Sequence, residues 1–195
     1  MPDTSSKSKR RPPISDEQER FERLWGEHYG AVLAYARRRT SPEHADDVVD
    51  DTFLVAWRRI GEVPADALPW LFGVARRTIA NHRRTLRRRG ALVSKLSGLP
   101  VEVAPDPAEA PHGTGLLPAL ARLGARDREA LMLVAWEDLD PRRAAAAAGC
   151  SAATFSVRLH RARKRLLAAL QEIESAGQEQ GEDPTPPIPP IEDAP

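Results

Sequence analysis

The sequence contains one cysteine, few aromatic residues and no long apolar run. Because Cys150 is the only cysteine among 195 residues, an internal disulfide and a cysteine-based zinc site are both excluded. Phe, Trp and Tyr together make up 5% of the chain, and no apolar stretch approaches the roughly 20 residues of a membrane-spanning helix. The N-terminus also lacks the apolar segment of a signal peptide. We therefore expect a cytoplasmic protein that does not insert into a membrane.

Charge is balanced over the whole chain but not along it. The formal net charge is only +1, so the protein as a whole has no strong attraction to nucleic acid. Residues 76–89, however, contain seven arginines and no acid, whereas residues 172–195 contain seven acids and neither Lys nor Arg. The basic stretch is typical of a phosphate-binding surface.

Helical periodicity recurs through the chain and predicts an all-α fold with two small helical domains. The 41% apolar content is enough for the cores of one or two such domains. The predicted segments are a disordered arm at 1–14, a three-helix domain at 15–89, a flexible linker at 90–115, a helix-turn-helix domain at 116–171 and a disordered, acidic, proline-rich tail at 172–195. The arm and the tail are too polar to fold alone. A short helix near 92–96 is expected inside the linker.

Residues 140–170 have the pattern of two helices with a tight corner between them. Asp140 can cap the first helix, Gly149 can end it, and Ser151 can cap the second. The apolar residues of the second helix recur on one face, at Phe155, Leu159, Ala162, Leu166 and Leu170. The opposite face carries Val157, His160, Arg161 and Lys164, flanked by Ser156, Arg158 and Arg163. A helix-turn-helix with such a basic outer face is suited to the major groove of DNA.

The helix predicted at 45–60 has an acidic outer face. Its inner stripe is expected to be Val49, Thr52, Phe53, Ala56 and Ile60, and its outer face holds Asp47, Asp50, Asp51, Leu54 and Arg58. Acids stabilise a helix N-terminus, but Asp50 and Asp51 lie beyond the first turn, where that benefit fades. Because neighbouring carboxylates repel one another, a partner that neutralises them is expected, and Leu54 beside them favours a protein partner. The alternative is an acidic face that is merely solvated.

The next helix, predicted at 70–89, combines an apolar stripe with a basic remainder. The stripe is expected to contain Leu71, Val74, Ala75, Thr78 and His82, with Trp70 near it at the helix start. The remaining surface is covered by Arg76, Arg77, Asn81, Arg83, Arg84, Arg87 and Arg88. Single-stranded bases stack on aromatic side chains beside basic grooves. The position of Trp70 near the stripe nevertheless favours a place in the core.

In this order, the segments resemble a bacterial RNA polymerase sigma factor of the extracytoplasmic-function type, in the sigma-70 family. The segment ADDVVDDTFLVAW at 45–57 resembles region 2.2 of the family, and PWLFGVARRTIANHRR at 69–84 resembles region 2.3–2.4. The segments LGARDREALMLVAWEDL and GCSAATFSVRLHRARKRL resemble region 4. The resemblance covers about 21–89 and 116–170. No single motif is decisive, but the ordered set with a linker between its parts is specific.

The resemblance implies a factor that binds core RNA polymerase, through its β′ clamp helices and β flap, and directs promoter-specific initiation. It places Asp47, Asp50, Asp51 and Leu54 in the polymerase-binding segment. It places Trp70, Arg76, Arg77, Asn81 and Arg84 at the −10 element, whose strands separate, with the 62–68 loop capturing a flipped base. It places Ser156, Val157, Arg158, His160, Arg161 and Lys164 at the duplex −35 element. No catalytic residue, metal or cofactor is implied, and an anti-sigma factor is a further expected partner.

Two other functions remain alternatives to this interpretation. A conventional helix-turn-helix DNA-binding transcriptional regulator would use the same corner without polymerase, but it leaves the acidic face and the arginine helix unexplained. A metal-dependent nuclease or hydrolase is suggested by His44, Asp47 and Asp51, which share a helix face and have the ligand types of a divalent cation site. No second ligand cluster in the sequence accompanies these three residues.

Overall fold

The computed structural model describes residues 16–97 and 115–181, which form seven α-helices and no strand. The helices are α1 (Asp16–Arg37), α2 (Pro42–Arg58), α3 (Ala67–Ser97), α4 (Leu116–Ala121), α5 (Ala125–Ala135), α6 (Pro141–Ala148) and α7 (Ala152–Gly181), with a 3₁₀ turn at Ile60–Glu62. The predicted all-α fold with two helical domains is confirmed. The predicted arm at 1–14, residues 98–114 of the predicted linker and residues 182–195 of the predicted tail lie outside the described residues. None of the described helices has the length and apolar character needed to cross a bilayer.

The first domain packs α1, α2 and α3 around one apolar core. All five residues predicted for the inner stripe of α2 are buried. Phe53 on that stripe meets an aromatic ladder on α1, with ring centroids 4.5 Å from Trp25 and 6.3 Å from Phe21. Tyr35, near the end of α1, stacks on Phe72 of α3 at 4.7 Å. These contacts fix the direction in which the outer faces of α2 and α3 point.

The second domain packs α4, α5 and α6 against α7. Phe155, Leu159 and Ala162 of α7 are buried as the periodicity predicts. The burial continues beyond the predicted domain end at residue 171, since Ile173 is only 5% exposed. The side of α7 opposite these residues is left to solvent.

Two helices extend further than the sequence pattern predicts. α3 continues to Ser97 through Gly90, where we expected a linker with a separate short helix. One glycine in a helix costs only about 1 kcal/mol, and the residues around it are strong helix formers. α7 continues to Gly181, into the segment predicted to be a disordered tail. Glu and Gln make up half of residues 172–181 and are good helix formers, and Ile173 anchors the extension to the core.

The buried side of α3 also differs from the prediction. Ile79 is 5% exposed and belongs to the stripe, whereas Thr78 and His82 are only partly buried. Val74 is buried as predicted, whereas Gly73 is buried on another side of the helix because α6 of the second domain packs there. α3 is thus covered from two directions, and a pattern with one apolar stripe could not indicate that.

The corner between α6 and α7 has the geometry that its sequence predicts. The Asp140 carboxylate accepts hydrogen bonds from two amides of the first turn of α6, at 2.8 and 3.1 Å. These bonds, chiefly the one from the Arg143 amide, hold the pKa of Asp140 below its ordinary value. Gly149 ends α6 in the left-handed region at φ 68°, and the Ser151 hydroxyl accepts a hydrogen bond from the next turn at 3.2 Å.

Replacing Gly149 with alanine is expected to lower the free energy of unfolding by about 1–2 kcal/mol, because an L-residue resists the left-handed conformation. A Cβ at this position would also lie 3.2 Å from Arg76 Nη2. Gly26→Ala is the matched control, since Gly26 lies inside α1 with nothing within 4 Å of an added Cβ. It should stabilise the protein by about 0.5–1 kcal/mol. Urea unfolding measures both, and a loss of similar size in the two variants would contradict the assigned corner.

Candidate protein and nucleic-acid interfaces

The acidic face of α2 is exposed as the sequence predicts. Asp47, Asp50 and Asp51 all lie on the solvent side of the helix. Leu54, one turn further, is 45% exposed although it is a large apolar residue. Carboxylates grouped around an exposed leucine form a surface that offers both charge and apolar area to a basic, partly apolar protein partner.

Trp57 extends this surface and was missed by the sequence analysis. It is 44% exposed, and its ring packs edge-on against Phe21 with centroids 5.1 Å apart. It follows Asp47, Asp50 and Leu54 at helical spacing, so the sequence already placed it on the same face of α2. We define the acidic-apolar face of α2 as Asp47, Asp50, Asp51, Leu54 and Trp57. Tryptophan at the edge of such a face is typical of residues that dominate binding energies.

The three residues of the metal-site alternative do not converge on one point. His44 Nδ1 lies 2.7 Å from Ser41 Oγ, and the Ser41 side chain makes no capping hydrogen bond to the backbone of α2. Asp51 Oδ2 instead lies 2.9 Å from Nε2 of His82 on α3. In the described residues, no group of three or more His, Cys, Asp or Glu side chains is placed to hold a metal ion.

The basic part of α3 is divided between solvent and the second domain. Arg77, Asn81 and Arg84 are exposed and lie along the free side of the helix. Arg76 is partly buried, and its Nε donates to the Ala147 carbonyl oxygen of α6 at 3.4 Å. Trp70 packs partly buried against the core, as its position near the stripe predicts. The arrangement therefore leaves part of the predicted nucleic-acid surface covered.

The outer face of α7 projects into solvent. Ser156, Val157, His160, Arg161 and Lys164 are all exposed, with Val157 at 51%. These residues occupy the side of the helix opposite Phe155, Leu159 and Ala162, so a groove of duplex DNA can be reached without unfolding. Arg158 is the exception, because its Nη1 turns back to within 3.7 Å of Cys150 Sγ.

The two domains are held together by a buried arginine. Arg39, which follows α1, is 7% exposed, and its guanidinium lies 3.7 Å from the centre of the Tyr35 ring. Its Nε donates to Glu129 at 2.8 Å and its Nη1 to Glu137 at 2.7 Å. Both acids belong to the second domain. The Tyr35 hydroxyl also donates to Glu129, at 2.8 Å.

Burial and charge both act on this interdomain cluster. Burial first, and then the Glu129 carboxylate, raise the pKa of Tyr35 well above its ordinary value, so the phenol stays protonated and donates. Burial lowers the pKa of Arg39, but the Glu129 and Glu137 carboxylates beside it raise the pKa by more, so that it lies above its ordinary value. The guanidinium therefore stays charged at physiological pH.

A second set of contacts joins α6 to α3. Arg143 forms a bidentate ion pair with Asp66, which lies just before α3. Its Nε and Nη2 each donate to one carboxylate oxygen at 2.8 Å. The helices cross closely at Gly73, where a Cβ would lie 3.4 Å from the Ala147 carbonyl oxygen. The alanine run of α6 makes this close approach possible. We call the packing of α6 on α3, together with the Arg39 cluster, the closed arrangement.

Glu137→Ala is expected to open the closed arrangement. The Glu137 side chain is 2% exposed and accepts from both Arg38 and Arg39. Its removal leaves a buried guanidinium poorly paired at a cost of about 3 kcal/mol, whereas separated domains would hydrate that group. Small-angle X-ray scattering should show a larger radius of gyration with unchanged helical circular dichroism.

The matched control for this prediction is Glu172→Ala. Glu172 pairs with Arg122 inside the second domain at 3.4 Å, with both side chains more than half exposed, and such pairs contribute little. Its radius of gyration should equal that of the wild type. An unchanged radius for Glu137→Ala would show that the Arg39 cluster does not hold the domains together.

Comparison with protein families places both domains. The model of sigma-70 region 2 matches residues 24–89, and the model of sigma-70 region 4 matches residues 116–166. The first match contains α2 with its acidic-apolar face and most of α3. The second contains the corner at Gly149 and the exposed face of α7.

Two curated proteins are similar to this chain over most of its length. The chain is 35% identical over 156 residues to the ECF RNA polymerase sigma factor SigL of Mycobacterium tuberculosis, covering 77% of this chain and 88% of that protein. It is 30% identical over 165 residues to the RNA polymerase sigma factor NccH of Alcaligenes xylosoxydans xylosoxydans, covering 80% and 89% respectively.

Two solved structures resemble the fold. The sigma factor RpoE of Bartonella quintana, in complex with the anti-sigma factor NepR, aligns with a TM-score of 0.55 and 29% identity over 77% of this chain and 96% of that chain. CnrH, in complex with the cytosolic domain of CnrY, aligns with a TM-score of 0.54 and 29% identity over 80% and 90%.

Proposed function

Because this chain belongs to the extracytoplasmic-function sigma factors, and carries both region 2 and region 4, we propose that it binds core RNA polymerase and directs it to promoters through −10 and −35 elements. The observation that carries the proposal is the presence of two separate surfaces of opposite character. One is the acidic-apolar face of α2, and the other comprises the basic sides of α3 and α7. A DNA-binding protein that acts without a polymerase has no use for the first surface.

The acidic-apolar face is proposed to bind polymerase. Asp47, Asp50 and Asp51 would pair with basic side chains of the β′ clamp helices, while Leu54 and Trp57 would supply the apolar centre of the interface. The exposure of these large apolar residues supports this assignment. The alternative interpretation, in which the acidic face serves only solubility, does not explain why leucine and tryptophan are exposed there.

The basic surfaces are proposed to read promoter DNA. Arg77, Asn81 and Arg84 on α3 would hold separated strands at the −10 element, where base stacking and phosphate contacts provide the affinity. Ser156, Val157, His160, Arg161 and Lys164 on α7 would read base edges in the major groove of the −35 element. Because recognition takes place by contact alone, we propose that the chain contributes no catalytic group of its own.

The closed arrangement has to open for this function. Asp66, in the 62–68 loop that the family resemblance assigns to base capture, is bound to Arg143, and Arg76 is bound to Ala147. Both residues are therefore engaged by region 4 before any DNA arrives. Tethered domains that separate on polymerase can each engage one element, and the second engagement then becomes effectively intramolecular.

An anti-sigma factor is proposed as a further partner. Two solved relatives of this fold are found in complexes, one with the anti-sigma factor NepR and the other with the cytosolic domain of CnrY. The same acidic-apolar face that would bind polymerase is the surface that such an inhibitor has to cover.

A pull-down of bacterial core RNA polymerase with the purified chain tests the proposal. Stoichiometric retention of core is the expected result. If the chain does not retain core but still binds duplex DNA, the helix-turn-helix regulator becomes the better description. The same pull-down should be made with the Glu137→Ala variant. This variant should retain core polymerase at least as well as the wild type, because its domains separate more easily.

A further inference from the structure

A cavity of about 540 Å³ lies between the two domains, and arginine is the most frequent residue in its wall. Seven arginines contribute to its wall, and the only acid among the described residues of that wall is Glu129. The size falls within the usual range for small-molecule sites. Of the residues assigned to polymerase or DNA, only Arg76 and Arg158 line this space, so its other residues need a separate explanation.

Carboxylates pair with some of the cavity's arginines but leave others without a described acid. Arg38 and Arg39 have Glu129 and Glu137 as partners. Arg76 and Arg158 instead donate to neutral groups, a carbonyl oxygen and a thiol sulfur.

Arg126, at the exposed rim of the cavity, has no ion pair with a described acid. At least three guanidinium charges, from both domains, thus face the same enclosed space without a described counter-ion. Several guanidinium groups around one space are suited to binding a multivalent anion.

Two further features favour an anion at this place. Nη2 of Arg39 is buried and has no hydrogen-bond partner, the one such side-chain atom in the described part of the chain. The first turn of α5 also lines the cavity, and this helix begins at Gly124 without a side-chain cap. Backbone N–H groups at an uncapped helix start attract negative charge.

We propose that the cavity binds a small metabolite that carries a diphosphate group. Two linked phosphates match guanidinium groups on opposite walls better than a single carboxylate does. Ile79, Met132 and Ala148 supply an apolar part of the wall for an organic body, which inorganic diphosphate lacks. Because both domains form the site, occupation would stabilise the closed arrangement by linkage.

Isothermal titration of the full chain with inorganic pyrophosphate, at about 0.15 M salt without divalent metal, tests the site. Saturable binding of one equivalent is expected. ADP serves as a second probe in the same experiment. Tighter binding of ADP would identify an organic diphosphate, and equal binding would restrict the recognised chemistry to the diphosphate itself.

The matched variants are Ala125→Glu and Ala125→Gln. Ala125 is an exposed residue in the first turn of α5 and lines the cavity, and an acid at a helix start is tolerated by the fold. Ala125→Glu should weaken pyrophosphate binding by about tenfold or more, whereas Ala125→Gln, which has the same size without charge, should change it by less than about twofold. Helical circular dichroism confirms that both variants fold.

Two results would overturn the proposal. The first is the absence of saturable binding of either probe below about 10 mM. The second is equal binding by Ala125→Glu and Ala125→Gln, which would place the anion on one of the basic outer surfaces. Neither result bears on the binding of core polymerase, so the sigma function and this site can fail separately.

Discussion

Asp47→Arg combined with Asp50→Arg is expected to weaken binding of core RNA polymerase by about 100-fold, or roughly 2.7 kcal/mol. Both carboxylates are exposed and lie on the same side of α2 as Leu54. In the proposed interface, the double change would turn two attractive contacts with basic side chains into two repulsive ones. A like-charge juxtaposition inside an interface costs several kcal/mol and is felt most strongly where apolar neighbours exclude water.

The measurement is an equilibrium titration of labelled core polymerase with each purified variant. Glu172→Arg combined with Glu174→Arg is the matched control, because it changes the net charge equally at two exposed sites on α7. This control should bind core within about twofold of the wild type. Equal losses in the two double variants would mean that total charge matters, and the acidic-apolar face would then lose its assigned role. Thermal unfolding should be the same in all three proteins.

Arg161→Glu is expected to reduce the affinity of the chain for duplex promoter DNA by about 30- to 100-fold. Arg161 is exposed at the centre of the outer face of α7, between His160 and Lys164. The substitution removes a cationic contact to phosphate or base and adds a repulsive charge close to the DNA backbone. The dependence of the binding constant on salt should also become weaker.

Arg163→Glu provides a control on the same helix with the same change of charge. Arg163 is exposed but lies toward the flank of α7, about 200° around the axis from Arg161 by helical geometry. It should cost less than about fivefold in affinity, through long-range electrostatics alone. Fluorescence anisotropy with duplex fragments measures both variants. Equal losses would show that α7 binds DNA through its overall positive charge, with no particular face that recognises the DNA sequence.

The helices and their faces were predictable because local chemistry determines them. The caps at Asp140 and Ser151, the left-handed turn at Gly149 and the inner stripe of α2 each follow from a few neighbouring residues. The exposure of the candidate polymerase-binding residues was predictable for the same reason. Apolar residues at helical spacing identify the buried side of a helix and therefore also its exposed side. Trp57 was overlooked although its spacing continued the pattern.

The packing between the domains could not be predicted, because it depends on residues far apart in sequence. Arg39 looks like one member of a basic run at the end of α1, and its burial depends on Glu129 and Glu137. Gly73 has no sequence signal for burial, and only the packing of α6 covers it. The ends of α3 and α7 were also missed, since good helix formers carried both helices through weak breaks.

The most direct test of the account is transcription from a fragment library of the source genome, with core RNA polymerase and this chain as the sole initiation factor. Discrete start sites that share two upstream elements at a fixed separation are the predicted result. With Arg161→Glu, the start sites should no longer share a −35 element but should still share the −10 element. Core polymerase that is bound by the chain but starts at no preferred positions would contradict promoter recognition, and with it the central role assigned to α3 and α7.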